Sequence, residues 1–200
     1  MTFANMSLKE FNSKLASDSP TPGGGSVAGL SAALAASLAS MVVNLTKNTD
    51  LDKYSEKLEE NIEFALELID KDALSFNKVM DAFKMKKETE KDKEKRKEAI
   101  QTALYDASLT PMETIKLAKS ILEITVEVAE KGNENAVSDA GVAALMALAS
   151  VKSAAYNVYI NTASLKDKQK AKELEEKTKK LVAESESMAD KVENICMGKI

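Results

Sequence analysis

The sequence contains no histidine, and that omission narrows the chemistry open to it. Ser-His-Asp and Cys-His catalysis both need an imidazole, and the common zinc sites cannot be assembled from one cysteine, Cys196, and no imidazole. Proton transfer therefore falls to Asp, Glu, Lys or Tyr side chains. Among the carboxylates, Asp72 stands out by its place. It follows Ile69 by three residues and precedes Phe76 by four. That puts it on the edge of an apolar stripe of Leu58, Ile62, Leu66, Ile69, Ala73, Phe76, Met80 and Phe83, whose steps of three and four read as one helix face expected to be buried. Asp70 points elsewhere. A carboxyl on that edge is either a structural cap or ion-pair partner, or an acid-base group in a partly dry cleft with its pKa raised. Residue type and spacing leave both readings open.

The second stretch with chemical use is Pro20-Thr21-Pro22-Gly23-Gly24-Gly25-Ser26. Two prolines stop a preceding helix, three glycines admit backbone angles closed to other residues, and Ser26 is placed to cap the helix that follows. The expected product is a tight loop delivering bare N–H groups to a helix start, which attracts anions. The helix it opens, expected over about residues 26–47, is rich in Ala, Ser and Gly, so another backbone or a flat ligand can come close. Ser37, Ser40 and Asn44 lie along one face of it, either back-bonded and tied to a neighbouring helix or forming the wall of a polar site. A related opening recurs at Asn133-Glu134-Asn135-Ala136-Val137-Ser138-Asp139-Ala140-Gly141. Ser26 and Asp139 hold matching places before two small-residue helices, the second expected to reach about residue 164. In that second helix Ser150, Ser153 and Asn157 repeat the earlier spacing, and Asn161 extends the row by a turn. Two such helices are natural partners for close packing.

The elements that must hold these residues all read as helices. Ser7-Leu8-Lys9-Glu10 is a capping box ahead of a short amphipathic helix, expected to reach about residue 17. The Asp72 stripe implies a long helix over about 51–84. Residues 85–97 are nearly all charged, a solvated turn and helix start or a Lys-rich flap over an anionic ligand. Residues 99–109 are helical, and Thr110-Pro111-Met112-Glu113 looks like a fresh capping box, where either a new helix begins or an existing one kinks. A Gly132-Asn133 stop and a final charged helix over about 166–196, with Leu174, Leu181 and Met188 at heptad spacing, complete the chain. Cys196 is expected near a frayed, inert end. Three prolines and seven glycines in 200 residues supply little turn chemistry for strands. The fold class is therefore all-α: one domain over residues 1–200, a helical bundle of about six or seven helices. A net charge of -4 gives no support to nucleic-acid binding, and the lone cysteine fits a reducing compartment. Met1-Thr2-Phe3-Ala4-Asn5 lacks the order of a cleavable leader, and Ser31, Ser37, Ser40 and Asn44 interrupt the apolar run, so a cytoplasmic protein that does not span a membrane is expected.

Taken together, Pro20-Thr21-Pro22-Gly23-Gly24-Gly25-Ser26-Val27-Ala28, Lys71-Asp72-Ala73 with Phe76, and Ser138-Asp139-Ala140-Gly141-Val142-Ala143 with Asn157 to Asn161 resemble the formiminotransferase-cyclodeaminase family. The resemblance is to its cyclodeaminase domain and to stand-alone methenyltetrahydrofolate cyclohydrolases, and it covers nearly the whole chain. It implies an all-helical homodimer that binds a reduced folate near the subunit interface, with no metal and a tetrahydrofolate derivative as substrate. The implied reaction is closure of 5-formiminotetrahydrofolate to the 5,10-methenyl compound with loss of ammonia, or hydration of the methenyl compound to 10-formyltetrahydrofolate. Asp72 matches the family's catalytic aspartate. Gly23, Gly24, Gly25 and Ser26 would position the folate, and Asp139, Asn157 and Asn161 would contact the pterin. Lys86 or Lys152 is the expected contact for the glutamate tail. The alternative is a helical protein of the same fold that holds folate or a partner without turning anything over.

Overall fold

The capping box at the start of the chain forms as read. Ser7 Oγ accepts the Glu10 backbone N–H at 3.2 Å and the Glu10 carboxylate accepts the Ser7 N–H at 2.9 Å, which starts α1 (Leu8–Leu15). The computed structural model describes residues 2–47 and 50–200, so Met1 of the opening lies outside it. Among the described residues the other long elements are α2 (Gly24–Leu45), α3 (Ser55–Lys84), α4 (Glu90–Lys131), α5 (Val137–Ala163) and α6 (Lys168–Lys199). Three short 3-10 turns, Phe3–Asn5, Asp50–Tyr54 and Glu134–Ala136, join them, and no strand occurs among the described residues. The all-α expectation holds.

The two small-residue helices form the centre of the bundle and run antiparallel. Near one end Ser150 Oγ of α5 donates to Ala28 O of α2 at 2.8 Å, and near the other Thr46 Oγ1 accepts the Asn133 N–H at 2.9 Å. Their shared seam is built from fully buried Ala28, Ala32, Ala35, Ala36 and Ala39 against Ala140, Ala143, Ala147 and Ala154. Short side chains let two helix axes approach closely, and α3, α4 and α6 pack around the pair with Leu58, Leu68, Ile115, Ile121, Leu122 and Val192. By length and composition α2 and α5 could each cross a membrane. Their place at the centre of the bundle accounts for that hydropathy.

Against α3 the approach is closer still. A Cβ added at Gly29 would stand 3.1 Å from Ile69 N and 3.2 Å from Ala65 O, both backbone atoms that cannot step aside. Gly29→Ala should therefore force α2 and α3 apart and cost about 1–3 kcal/mol, as overpacking does. Thermal unfolding should then occur several degrees lower; an unchanged melting temperature would mean the crossing is looser than these distances imply.

Three expectations need correction. The segment 99–131 is not divided at Pro111, because α4 runs unbroken for 42 residues from a Thr89-Asp92 capping box. Proline leaves the carbonyl four residues earlier, that of Ala107, without its helical donor. Asn161 Nδ2 of α5 supplies one at 3.0 Å, so the helix continues. The Asp72 stripe is buried or half-buried only through Ala73, since Phe76, Met80 and Phe83 are 37%, 37% and 46% exposed. The start of α2 lies beside Ile69 and Asp72 and covers α3 no further. Beyond it only Val79 and Ala82 find cover, in a small cluster with Ile100, Leu104, Leu165 and Ala171. Cys196 does not lie in a frayed end; it is buried within α6, with Sγ donating to Val137 O at 3.3 Å. Leu174, Leu181 and Met188 do pack on the core.

Candidate functional site

Asp72 and its neighbour Asp70 serve two different ends. Asp70 Oδ1 accepts the Phe3 N–H at 2.7 Å and Oδ2 the Ala4 N–H at 3.5 Å, fastening the first turn of the chain to α3. Asp72 faces the start of α2 instead. That start has Gly23 as its N-cap, a residue with no side chain to satisfy the free N–H groups. Asp72 Oδ2 lies 3.3 Å from Ser26 Oγ, and the Ser26 backbone N–H bonds the same carboxyl. Burial pushes the Asp72 carboxyl above the ordinary Asp range, while the two bonds from Ser26 pull it part of the way back. Among the described residues no cation acts on it. The adjacent Lys71 is taken by Glu113 of α4.

Gly25 makes this arrangement possible by lacking a side chain. A Cβ there would overlap the Asp72 carboxyl group, lying 2.7 Å even from Oδ2. None of the chain's glycines has a positive φ, so the expectation that the triple glycine is there for unusual backbone angles is replaced. What the site needs from Gly25 is space. Gly23 and Gly24 meet nothing closer than 3.7 Å at the corresponding point. Ser26 does not cap α2 as expected. It is the third residue of the helix, fully buried, and its hydroxyl crosses to α3, 2.9 Å from Ile69 O.

A cavity of about 270 Å³ opens at this junction, lined by Pro20, Thr21, Gly23, Gly24, Gly25, Asp72, Ser75, Phe76, Val79, Ala107, Asn157, Ile160 and Asn161. Six of the eight expected site residues thus meet around one space, Ser26 sits directly behind it, and Asp139 is elsewhere. Asp139 occupies the first turn of α5, eighteen residues before Asn157, which at 1.5 Å per residue is roughly 27 Å along the helix. Antiparallel packing is the reason: it puts the second Gly-containing opening at the far end of the bundle from the first. Asn157 Nδ2 donates to Ser153 O at 2.9 Å and Asn161 Nδ2 to Ala107 O, so backbone carbonyls fix both amides at the cavity wall. Ser37, Ser40 and Asn44 do not line it, and Ser37 back-bonds Ala33 O at 2.8 Å. Lys86 is not at the cavity, and Lys152 is paired with Glu186 at 2.6 Å.

Sequence reading missed Ser75 and Ile160 at the wall. Ser75 is one helical turn after Asp72, and its hydroxyl is 3.0 Å from Thr110 Oγ1; the three-residue step was the available signal. A separate, larger open groove of about 590 Å³ lies along the α3–α4 seam, where Lys78 and Lys95 alternate with Asp81, Glu98 and Asp106. It contains no buried carboxyl, so proton chemistry is concentrated at Asp72.

The chain has relatives among known proteins, and a solved structure shares its architecture over nearly the whole length. The family model described as formiminotransferase-cyclodeaminase matches residues 7–180. A methenyltetrahydrofolate cyclohydrolase of Methylorubrum extorquens is 36% identical, covering 98% of this chain and 98% of that protein. A formimidoyltransferase-cyclodeaminase of Sus scrofa is 32% identical over 61% of this chain and 23% of its own length. The crystal structure of a formiminotetrahydrofolate cyclodeaminase from Thermotoga maritima superposes with a TM-score of 0.86 at 31% identity, covering 97% of each chain.

Proposed function

The chain belongs to the formiminotransferase-cyclodeaminase family, and from that premise we propose that it is a tetrahydrofolate one-carbon enzyme acting as a methenyltetrahydrofolate cyclohydrolase. Both reactions of this enzyme type pass through a tetrahedral one-carbon centre between N5 and N10. Each requires proton transfers that a positioned carboxyl can carry out. The observation that carries the reading is Asp72: a carboxyl without a cationic partner, pinned by the start of α2 and lining a cavity.

In the hydrolytic direction Asp72 takes a proton from the water that attacks the amidinium carbon. The C–O bond forms and the carbon becomes tetrahedral; the C–N5 bond then breaks as Asp72 returns its proton to N5, while the hydroxyl proton is released to solvent and the formyl group stays on N10. The methenyl substrate is itself a cation. It supplies the positive charge that Asp72 lacks, so binding it favours the carboxylate form and the carboxylate in turn stabilises the bound cation. Gly23, Gly24 and Gly25 position the folate at the mouth of α2, and the fixed amides of Asn157 and Asn161 meet the alternating donors and acceptors of the pterin edge. The part of the folate that a cavity of about 270 Å³ cannot hold extends into the α3–α4 groove.

The near-ultraviolet band of 5,10-methenyltetrahydrofolate should decay many times faster with the protein than without it. A decay rate equal to that in buffer would leave only the non-catalytic folate-binding reading. The Thermotoga maritima likeness favours a second reading, cyclodeamination, in which Asp72 takes the N10 proton and gives one to departing ammonia. Release of ammonia from 5-formiminotetrahydrofolate, with slow turnover of the methenyl compound, would select it. A cytoplasmic setting fits the lone, buried thiol.

We also propose that the enzyme is a homodimer joined through α5 and α2. Val142, Leu145, Tyr156 and Ile160 are 46%, 60%, 74% and 69% exposed and fall on one face of α5, while Leu34, Met41 and Leu45 do the same on α2. Ile160 belongs both to that face and to the cavity wall, which would bring a second subunit to the folate. If two α5 helices cross antiparallel near residue 151, the first turn of one lies beside the end of the other, and only by that route does Asp139 reach a cavity. Leu145→Glu should convert a dimer to monomer in analytical ultracentrifugation; a wild-type protein that sediments as a monomer at micromolar concentration would refute the dimer.

A further inference from the structure

Ser26 has one hydroxyl hydrogen and two partners for it. Its Oγ lies 2.9 Å from Ile69 O and 3.3 Å from Asp72 Oδ2. A backbone carbonyl only accepts, whereas a carboxyl donates when protonated and accepts when ionised. When the hydrogen points to Ile69 O, the contact with Asp72 is a hydrogen bond only if Asp72 carries a proton and donates it to the Ser26 lone pair. When Asp72 is ionised, the hydrogen must turn to Oδ2, where it makes a charge-assisted bond roughly twice as strong as a neutral one. Ile69 lies inside α3 and its carbonyl keeps its helical donor, so the turn leaves no buried group without a partner. Ser26 is fully buried and is not among the residues that line the cavity.

We infer that Ser26 is a positioning residue, a hydroxyl that swings between α3's Ile69 carbonyl and Asp72 so that both protonation states of the carboxyl are held in one place. The inference rests on the reading of Asp72 as the proton-transfer group, and extends it. A group that must take a proton and give it back is useful only if neither form drifts from the reacting atoms. The surroundings contain nothing else suited to this. The residues of α2, Gly24–Leu45, include no titratable side chain. On α3, Asp70 is committed to Phe3 and Ala4 and Lys71 to Glu113 of α4. On α5 the neighbours are the neutral Asn157 and Asn161, with Lys152 tied to Glu186 of α6. Asp106 of α4 opens into the α3–α4 groove.

The test is a titration of Asp72 itself by difference infrared spectroscopy, its carboxyl band identified as the one missing from Asp72→Asn. Ser26→Ala removes the charge-assisted donor while keeping a good helix former, so the folded state survives. The Asp72 midpoint should move upward by on the order of one pH unit, and the acid limb of the kcat/KM profile should move with it while KM changes less than twofold. Ser26→Cys, with a weaker donor, should fall between the two. A midpoint that stays in place or moves down in Ser26→Ala overturns the inference. A midpoint that moves while the kinetic profile stays put upholds the coupling and removes Asp72 from the chemistry, so failure of the premise is distinguishable.

Discussion

Replacement of Gly25 by alanine is expected to lower kcat/KM by about a hundredfold while the protein stays folded. The new Cβ would occupy space now held by the Asp72 carboxyl group, with Oδ2 only 2.7 Å away. Something must move, and the parts are unequally free. The α2 backbone at this point is locked between α3 and α5, with Gly29 tight against Ala65 and Ile69 and Ser150 bonded to Ala28. Asp72 is a short side chain at the rim of a cavity, so its carboxyl yields. A displacement of about 1 Å at a reacting group can cost a factor of order a hundred. Alanine in the first turn of a helix is intrinsically at least as good as glycine, so the melting temperature should change little. Gly198→Ala is the control, since this glycine is outside the cavity lining and its Cβ would meet nothing within 4 Å. Equal kinetics for the two variants would mean that the carboxyl does not act from where it sits.

The same glycine shows how far the sequence could be read. The proline-glycine stretch, the alanine-serine helix behind it and the carboxyl on the edge of a helical stripe were all legible, because local rules govern them: proline stops, short side chains and a 3.6-residue period. Which physical property of glycine mattered was not legible, since the neighbour that crowds Gly25 is 47 residues away. The two-partner hydroxyl of Ser26 escaped notice for the same reason, as its contacts lie 43 and 46 residues distant. Pro111 misled in the opposite sense. Its sequence context is a helix start, and only Asn161, 54 residues from the Ala107 carbonyl it satisfies, lets α4 pass through. Asp139 was grouped with Ser26 by pattern alone, and antiparallel packing of α2 and α5 separates them.

Asp72→Asn should lower turnover by roughly a hundredfold or more, the usual cost of losing a general acid-base group, and at neutral pH should also raise the melting temperature. The second effect follows from the direction of the Asp72 shift. Burial holds its folded pKa above the unfolded value of 3.8 despite the bonds from Ser26. Below the unfolded value the side chain is protonated in both states and costs nothing. As pH climbs through the window between that value and the raised folded one, the unfolded chain ionises more readily than the folded chain, and stability is lost. Asparagine does not ionise, so its advantage over wild type should be absent in acid, grow across that window and be complete at neutral pH. A gain in stability accompanying a loss of activity is the mark of a group kept for chemistry rather than for the fold. Thermal unfolding of both proteins across that pH range decides the matter. A variant less stable than wild type at neutral pH would make Asp72 a cap for the bare start of α2, the structural alternative that the sequence left open.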